Sequence, residues 1–366
     1  MPTVNIGIRD RQAYELRRSG QNWAAIVQSL GLNNESTARL SANRYASQNN
    51  QTPLTTPNPR RSEAGRLAAM ARFNRPQTAG NRSRNRQHNG SQTSAVQFAE
   101  RTFGVEIEYV NMSRLTVADA VANALGLPHI HVVPYHGTIC EVCSQNIGSV
   151  YSQWKVERDG SVSTGGEVVS PILSGAEGLE QIRKVAKAIR EAGGGISRKC
   201  GLHVHVGVRD LTPEQRVNLI NRWYATHATI KKFVSKTRWS NPYCSLPNAT
   251  EIVSWNNAIL AGNDPDKYRA TRTRSLNITN FRKTGTYEIR LHQGSLNAKK
   301  ITTWIKFLLA FVEFGSQVDE FENPTNEEFG FLNALTKPVT NKTNLFTEAE
   351  VNYLKQRSQS LLQGAN

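Results

Sequence analysis

Phe103-Gly104-Val105-Glu106-Ile107-Glu108-Tyr109 alternates apolar and charged residues with a period of two. That is the pattern of a β-strand with one buried face. Val105, Ile107 and Tyr109 fall on one side, Glu106 and Glu108 on the other. Two carboxylates ~6 Å apart repel by roughly 3 kcal/mol at an effective dielectric near 20. Such a face must lie open to water or hold a cation between its oxygens.

The pattern recurs along the chain. Cys200-Gly-Leu-His-Val-His-Val-Gly207 puts His203 and His205 on one face, and Thr286-Tyr-Glu-Ile-Arg-Leu291 does the same for Glu288 and Arg290. Gly165-Gly166-Glu167-Val168-Val169 starts a fourth strand behind two glycines, where backbone and ligand can approach closely. Trp154–Arg158 reads as a further strand, ending in the turn Asp159-Gly160-Ser161. If one sheet turns these faces into a common cleft, the cleft holds four carboxylates, two imidazoles and a guanidinium. Without cations that cluster is unstable. Oxygen-rich ligands suit Mg2+ or Mn2+, and a nearby arginine suits phosphate. The combination is that of ATP-dependent phosphoryl transfer. The plain alternative is a set of independent amphipathic strands. No Gly-x-x-x-x-Gly-Lys loop occurs, so phosphate binding falls to the sheet.

Between the strands lie helices. Thr116–Leu125 is predicted helical with Thr116 as cap. Ser174–Ala192 carries the stripe Leu179, Ile182, Val185 and Ile189, a Ser174/Glu177 capping box, and Gly193 as stop. A helix from Pro213 is capped by Thr212 and Gln215 and runs through Ile230. Ile301–Phe314 is strongly apolar, and the remainder reads as helical and polar, with a Thr347/Glu350 capping box. His129, His131, His136, Cys140 and Cys143 form a separate group. Cys-x-x-Cys beside histidines can make a zinc knuckle. A second cysteine pair is missing, and a strand followed by a loop with reduced thiols explains the residues equally well.

The chain has 366 residues, a formal charge of +16 and a pI near 9.9, which favour an anionic partner. Four cysteines do not suggest a disulfide scaffold. Nothing approaches 18 consecutive apolar residues and the first residues lack a secretory pattern, so a cytoplasmic protein without a membrane span is expected. Residues 1–47 are predicted to form three short helices, Arg11–Ser19, Trp23–Leu30 and Ser36–Ala46, around Ile26, Val27, Leu30 and Leu32. They resemble a helix-turn-helix with Gly31 in the turn, although Val27 stands where that motif usually has a small residue. Arg39, Asn43 and Arg44 suit phosphate or base-edge contacts; a protein-binding bundle is the alternative. Residues 48–97 read as a disordered linker rich in Arg, Asn and Ser. Its arginines could track a nucleic-acid backbone or serve as a solvated tether.

Residues 101 to about 315 resemble the amidoligase family of the carboxylate–amine ligase superfamily, which includes glutamine synthetase and glutamate–cysteine ligase. The resemblance rests on the blocks Phe-Gly-Val-Glu-Ile-Glu, Trp-Lys-Val-Glu-Arg-Asp-Gly-Ser, Gly-Glu-Val-Val-Ser-Pro-Ile-Leu, Cys-Gly-Leu-His-Val-His-Val, Arg-Ser-Leu-Asn-Ile and Thr-Tyr-Glu-Ile-Arg-Leu with Gly-Ser-Leu-Asn. It implies an α+β fold: a curved antiparallel sheet of glutamine-synthetase-like type with helices packed on one face, occupying 98–366. It implies Glu106, Glu108, Glu167 and Glu288 as metal ligands, and His203 or His205 at metal or nucleotide phosphate. Arg290 and Arg274 would bind the γ-phosphate and the transition state. Asn277, Asp159 and the loop residue Arg238 complete the candidate set. The Cys140–Cys143 insertion departs from the family pattern. The implied reaction joins a carboxylate and an amine, such as a peptide or cell-wall precursor, through an acyl phosphate, with ATP and Mg2+. The rival functions are a metal-dependent phosphotransferase on the same scaffold and a DNA-binding regulator whose second half senses a ligand.

Overall fold

The computed structural model describes residues 6–32, 38, 42, 100–135, 137–148, 152–160, 162, 164–266, 270, 272–317, 328–337 and 344–364. The chain separates into two compact units, Met1–Thr93 and Ser94–Asn366.

In the first unit, helix α1 spans Ile6–Arg18 and α2 spans Trp23–Leu30. Asn22 caps α2 by accepting the Ala25 N–H at 2.8 Å, and Gly31 closes it with φ +59°. Ala13, Tyr14, Trp23, Ile26, Ala38 and Ala42 are buried together, with Val27, Leu30 and Leu32 packed against them. The expected third helix, Ser36–Ala46, lies mostly outside the described residues, as does the 48–97 segment, and with them the contacts expected of Arg39, Asn43 and Arg44.

The second unit is a mixed α+β structure built on one seven-stranded sheet. Its strands are β1 Phe103–Val110, β2 His131–Val133, β3 Lys155–Glu157, β4 Gly165–Val169, β5 Gly201–Gly207, β6 Leu276–Asn277 and β7 Thr286–Gln293. Their spatial order is β2-β3-β4-β1-β5-β7-β6. All neighbours are antiparallel except β2 and β3, which run parallel. The sheet therefore departs at one edge from the purely antiparallel expectation.

The period-two reading of β1 holds. Val105, Ile107 and Tyr109 join Val168, Leu202, Val204, Val206, Ile289 and Leu291 in one apolar core. Residues of helices α3 (Arg114–Leu125), α4 (Gly175–Glu191), α5 (Pro213–Ile230) and α8 (Ala298–Gly315) share that core. Between α5 and α8 come α6 (Ala249–Leu260) and α7 (Phe281–Thr284). Helix α3 starts two residues earlier than predicted, because Ser113 and not Thr116 is the cap, accepting the Thr116 N–H at 3.1 Å. Ser174 precedes α4 but makes no capping hydrogen bond, so the expected box with Glu177 is not formed. The Thr212/Gln215 and Thr347/Glu350 boxes are formed.

The C-terminal helices α9 (Gly330–Leu335) and α10 (Glu348–Leu362) are more than a polar tail. Phe331, Leu332, Leu335, Phe346, Val351 and Leu354 are buried in the same core as the sheet. Their apolar residues are spaced on one helix face, which a reading by mean polarity overlooks. Among the described residues, no helix is long and apolar enough to cross a membrane.

Candidate active site

The face of the sheet turned away from the helices carries the polar residues, and strand register decides which of them meet. Glu106 stands opposite His203, and Glu108 opposite Glu167, which in turn faces Glu157. On the far side His205 stands opposite Glu288, and Glu288 opposite Asn277. A register shift between Leu202 and Val204 sets Arg290 and Leu291 of β7 against His203 alone, a bulge that bends β7 at this point. The result is a continuous polar band across β3, β4, β1, β5, β7 and β6, flooring a cleft of about 1660 Å³.

Two groups of ligating atoms stand out in that band. Glu106, His205 and Glu288 bring ligand atoms within 4.8 Å of one another, and so do Glu108, Asp159 and Glu167. His203 links the two. Its Nδ1 lies 2.9 Å from Glu106 Oε2 and its Nε2 lies 3.5 Å from Glu108 Oε1. His205 Nε2 lies 3.1 Å from Glu106 Oε1. Burial alone would push the Glu106 carboxyl up, but the His203 and His205 hydrogen bonds outweigh it and hold it well below the usual carboxylate range. For His205 burial pushes down, and the Glu106 carboxylate more than reverses that. Glu167 has no such help. Burial, then repulsion from Glu106, Glu157, Asp159 and Glu108, drives its carboxyl well above the usual range. Like charges directly opposite on adjacent strands are destabilising. A row of Glu157, Glu167 and Glu108 is therefore costly without positive charge; Lys155 supplies it to Glu157, and Glu108, Asp159 and Glu167 are left as a candidate cation site.

The local sequence explains how the groups come so close. Glycine at 201 is required because a Cβ there would sit 2.7 Å from His203 Nε2, and the Gly201 N–H donates to Glu108 Oε2 at 2.8 Å. Gly165 and Gly166 serve a different purpose from the one expected. A Cβ at 165 would run into the Tyr109 carbonyl, and one at 166 would sit 2.6 Å from the Glu157 carbonyl. These glycines let strands approach each other, not a ligand.

Glu288 is clamped from two sides. Asn277 Nδ2 donates to its Oε2 at 2.7 Å, and the Arg290 guanidinium contacts its Oε1. Arg290 also reaches within 3.4 Å of His203 Nδ1 and donates to the Tyr243 carbonyl at 3.3 Å. It lines the cleft, as do Asn277 and Arg238. Arg238 is buried and donates to the Arg290 carbonyl at 2.7 Å, so it braces β7. Arg274 is not brought to this band. Glu251 Oε1 accepts from its Nη2 at 2.8 Å and from its Nε at 3.1 Å, and Ser245 Oγ accepts from its Nη1 at 2.5 Å. Arg274 is not among the residues lining the cleft, whereas its neighbour Arg272 is.

Sequence reasoning passed over Glu157 and Lys155, a buried ion pair beside Glu167. Their i, i+2 spacing in Lys155-Val-Glu157 was the available signal. Arg209, Arg282 and Lys283 on the cleft wall were also missed, because a loop and the four-residue helix α7 are too short to carry periodicity.

A family model described as "Putative amidoligase enzyme" matches residues 99–312. The chain belongs to the amidoligase family. The match starts just before β1 and ends within α8, so it contains every strand of the sheet and the whole polar band. A search of curated proteins returned no match. Amidoligase membership supports an enzyme of ligase type, acting on substrates between which a bond is formed. The first unit lies outside the match, and no finding assigns it a helix-turn-helix.

Proposed function

We propose that this amidoligase is an ATP- and Mg2+-dependent carboxylate–amine ligase that forms an amide or peptide-like bond through an acyl phosphate. One observation carries the reading: two cation-ready ligand groups, Glu106/His205/Glu288 and Glu108/Asp159/Glu167, share a cleft floor with Arg290. The donor set fits Mg2+ or Mn2+, being mainly carboxylate oxygen, and the crowding that raises Glu167 is what a divalent cation relieves. When bound, the metals neutralise phosphate and carboxylate charge, letting two anions meet. A curved sheet of glutamine-synthetase type belongs to the same proposal.

The chain's own residues supply the rest. A carboxylate is a poor electrophile, because its leaving group would be oxide. Phosphorylation by ATP gives it a phosphate leaving group, and amine attack then releases inorganic phosphate. Arg290 holds a planar, two-pronged cation at the cleft floor, suited to following the γ-phosphoryl group. His203 and His205, tied to Glu106, hold the carboxylate oxygens in a fixed orientation. Asn277 does the same for Glu288. The cations of the cleft wall, Arg209, Arg272, Arg282 and Lys283, favour anionic substrates.

The test follows one oxygen atom. A substrate acid carrying heavy oxygen in its carboxylate, turned over with ATP and amine, should deliver one labelled oxygen to inorganic phosphate. Phosphate without substrate oxygen would rule out the acyl-phosphate route. A phosphorylated product that persists would favour a metal-dependent phosphotransferase.

A second reading concerns the first unit. Residues 1–97 hold fourteen arginines, no lysine and four acidic residues, a balance that supports nucleic-acid binding through this segment. On that reading the N-terminal part delivers the ligase to a nucleic-acid surface. If ATP turnover proved negligible, the chain would instead be a DNA-binding regulator.

A further inference from the structure

The segment 129–148 lies outside the polar band and the ligase chemistry does not use it. Its two cysteines are free, Cys140 buried and Cys143 exposed. Thr138–Ile147 folds back on itself. Ile139 bridges Asn146, the Cys140 N–H donates to the Gln145 carbonyl at 2.9 Å, and the Ile147 N–H donates to the Thr138 carbonyl at 2.7 Å. Cys140-Glu-Val-Cys143 forms the tip. The Cys140 sulfur there accepts the backbone N–H groups of Cys143 and Val142, and a third from Val132. Ser144, directly after the second cysteine, adopts φ +59°, a left-handed conformation uncommon for a residue with a side chain.

Facing the tip are two histidines from the sheet edge. His129, His131 and Cys143 bring ligand atoms within 4.8 Å of one another. Cys143 Sγ lies 3.6 Å from His131 Nδ1. Tetrahedral zinc with Zn–S near 2.3 Å and Zn–N near 2.0–2.1 Å requires an S···N separation of about 3.6 Å. His131 Nε2 lies 2.8 Å from Gln153 Oε1, a partner that can only accept from a ring nitrogen. That contact places the proton on Nε2 and leaves the Nδ1 lone pair facing the sulfur. An outer partner of this kind is the rule for histidines that bind metals. Cys140 is not one of that group of three; it stands three residues before Cys143 in the same turn, with His131 as a side-chain hydrogen-bond partner, and completing the set takes a small rotation of its side chain.

We propose that His129, His131, Cys140 and Cys143 bind one structural zinc ion as a Cys2His2 set. The missing second cysteine pair is replaced by two histidines, one on the edge strand and one just before it. The segment between the two halves of the set carries Tyr135 and Gly137, which line the catalytic cleft. Tyr135 Oη accepts from Arg272 across the cleft at 3.5 Å. The Arg114–Glu141 ion pair, at 2.8 Å, ties the hairpin to the start of α3. Zinc at this point would close the loop at both ends and fix one cleft wall, without entering the reaction.

The test is metal content of the full chain, purified from zinc-supplemented medium into buffer with excess Mg2+ to saturate the carboxylate groups. About one zinc per chain is expected, retained in Glu106→Gln and lost in the double variant Cys140→Ser/Cys143→Ser. Cobalt in place of zinc should give tetrahedral visible absorption with a sulfur-to-cobalt charge-transfer band. Should the double variant fail to fold, Gln153→Ala keeps all four ligands and should weaken zinc affinity by about 10–100-fold. Less than a tenth of an equivalent in the wild-type chain after zinc loading would overturn the proposal. So would zinc that persists in the double variant, or a cobalt spectrum without the sulfur band.

Discussion

Replacing Glu167 with glutamine should make the metal-free protein more stable and the Mg2+-loaded protein relatively less so. Glu167 is buried on β4, opposite Glu108 on one side and Glu157 on the other. Two charges ~5.5 Å apart at an effective dielectric near 20 repel by about 3 kcal/mol per pair. Part of this is already relieved, because Lys155 pairs with Glu157 and the Glu167 carboxyl is pushed toward its protonated form. Removing the charge should therefore stabilise the metal-free fold by about 1–3 kcal/mol. For a unit of this size that is about 2–4 °C in Tm for each kcal/mol. Mg2+ at one hundred times its Kd stabilises a folded wild-type site by about 2.7 kcal/mol, and Glu167→Gln should lose most of that gain. Thermal denaturation of both proteins, with chelator and with saturating Mg2+, reads out both effects. The signature is a crossover: the variant melts higher without metal and gains little with it. A variant that melts lower without metal and keeps the full Mg2+ shift would refute the reasoning, since Glu167 would then be a satisfied structural carboxylate.

Glu106→Gln and Glu288→Gln should each lower ATP turnover by about 10²-fold or more with the circular-dichroism spectrum unchanged, and near-normal turnover at saturating Mg2+ would sink the shared site. Arg290→Lys should slow turnover by about 10²-fold with a smaller change in KM for ATP, because a point charge does not reproduce the planar contact; steady-state kinetics decides. His227 and His292 are buried, and burial pushes them down to about 4 and about 3. Their unfolded forms titrate near 6.5, so stability is full above about pH 6.5 and falls with acidity, by about 2 kcal/mol for each histidine at pH 5. Urea denaturation of wild-type and His292→Gln chains at pH 7 and pH 5 checks the slope, which the variant should flatten. Residues 1–97 should bind DNA or RNA with a log–log salt slope of about −0.9 for each phosphate contact on B-DNA, read by fluorescence anisotropy; no binding at low salt would point to a protein-binding bundle.

How much of the site was legible follows from the kind of signal each residue leaves. Glu106 and Glu108, His203 and His205, and Glu288 and Arg290 were visible because a strand alternates strictly, so a polar pair at i and i+2 marks one face. Glu167 was visible from its block, with a ligand role implied by the family resemblance, but its crowding was not, since its neighbours Glu157 and Glu108 come from other strands. Arg274 and Arg272 stand two apart in a loop, and neither pattern nor charge distinguishes the one held by Glu251 from the one that lines the cleft. The cysteine spacing and the nearby histidines could be read as a candidate zinc knuckle, while the meeting of His129, His131 and Cys143 at one point could not.

The sequence by itself determined the longer strands, helices α2, α3, α4, α5 and α8, the apolar face of the sheet and the residue types available for chemistry, but not the two-residue β6 or helix α6. These are local properties, written in periods of two and 3.6 residues and in caps and glycine stops. Tertiary structure decided strand order, register and the parallel pairing of β2 with β3. It thereby decided that Glu157, Glu167 and Glu108 form one row and that Glu106 meets both histidines. The physical reason is that register depends on hydrogen bonds and packing between segments far apart in the chain. Slipping one strand by a single residue would turn its polar face into the core, so the cost of the wrong pairing appears only when all the strands are assembled.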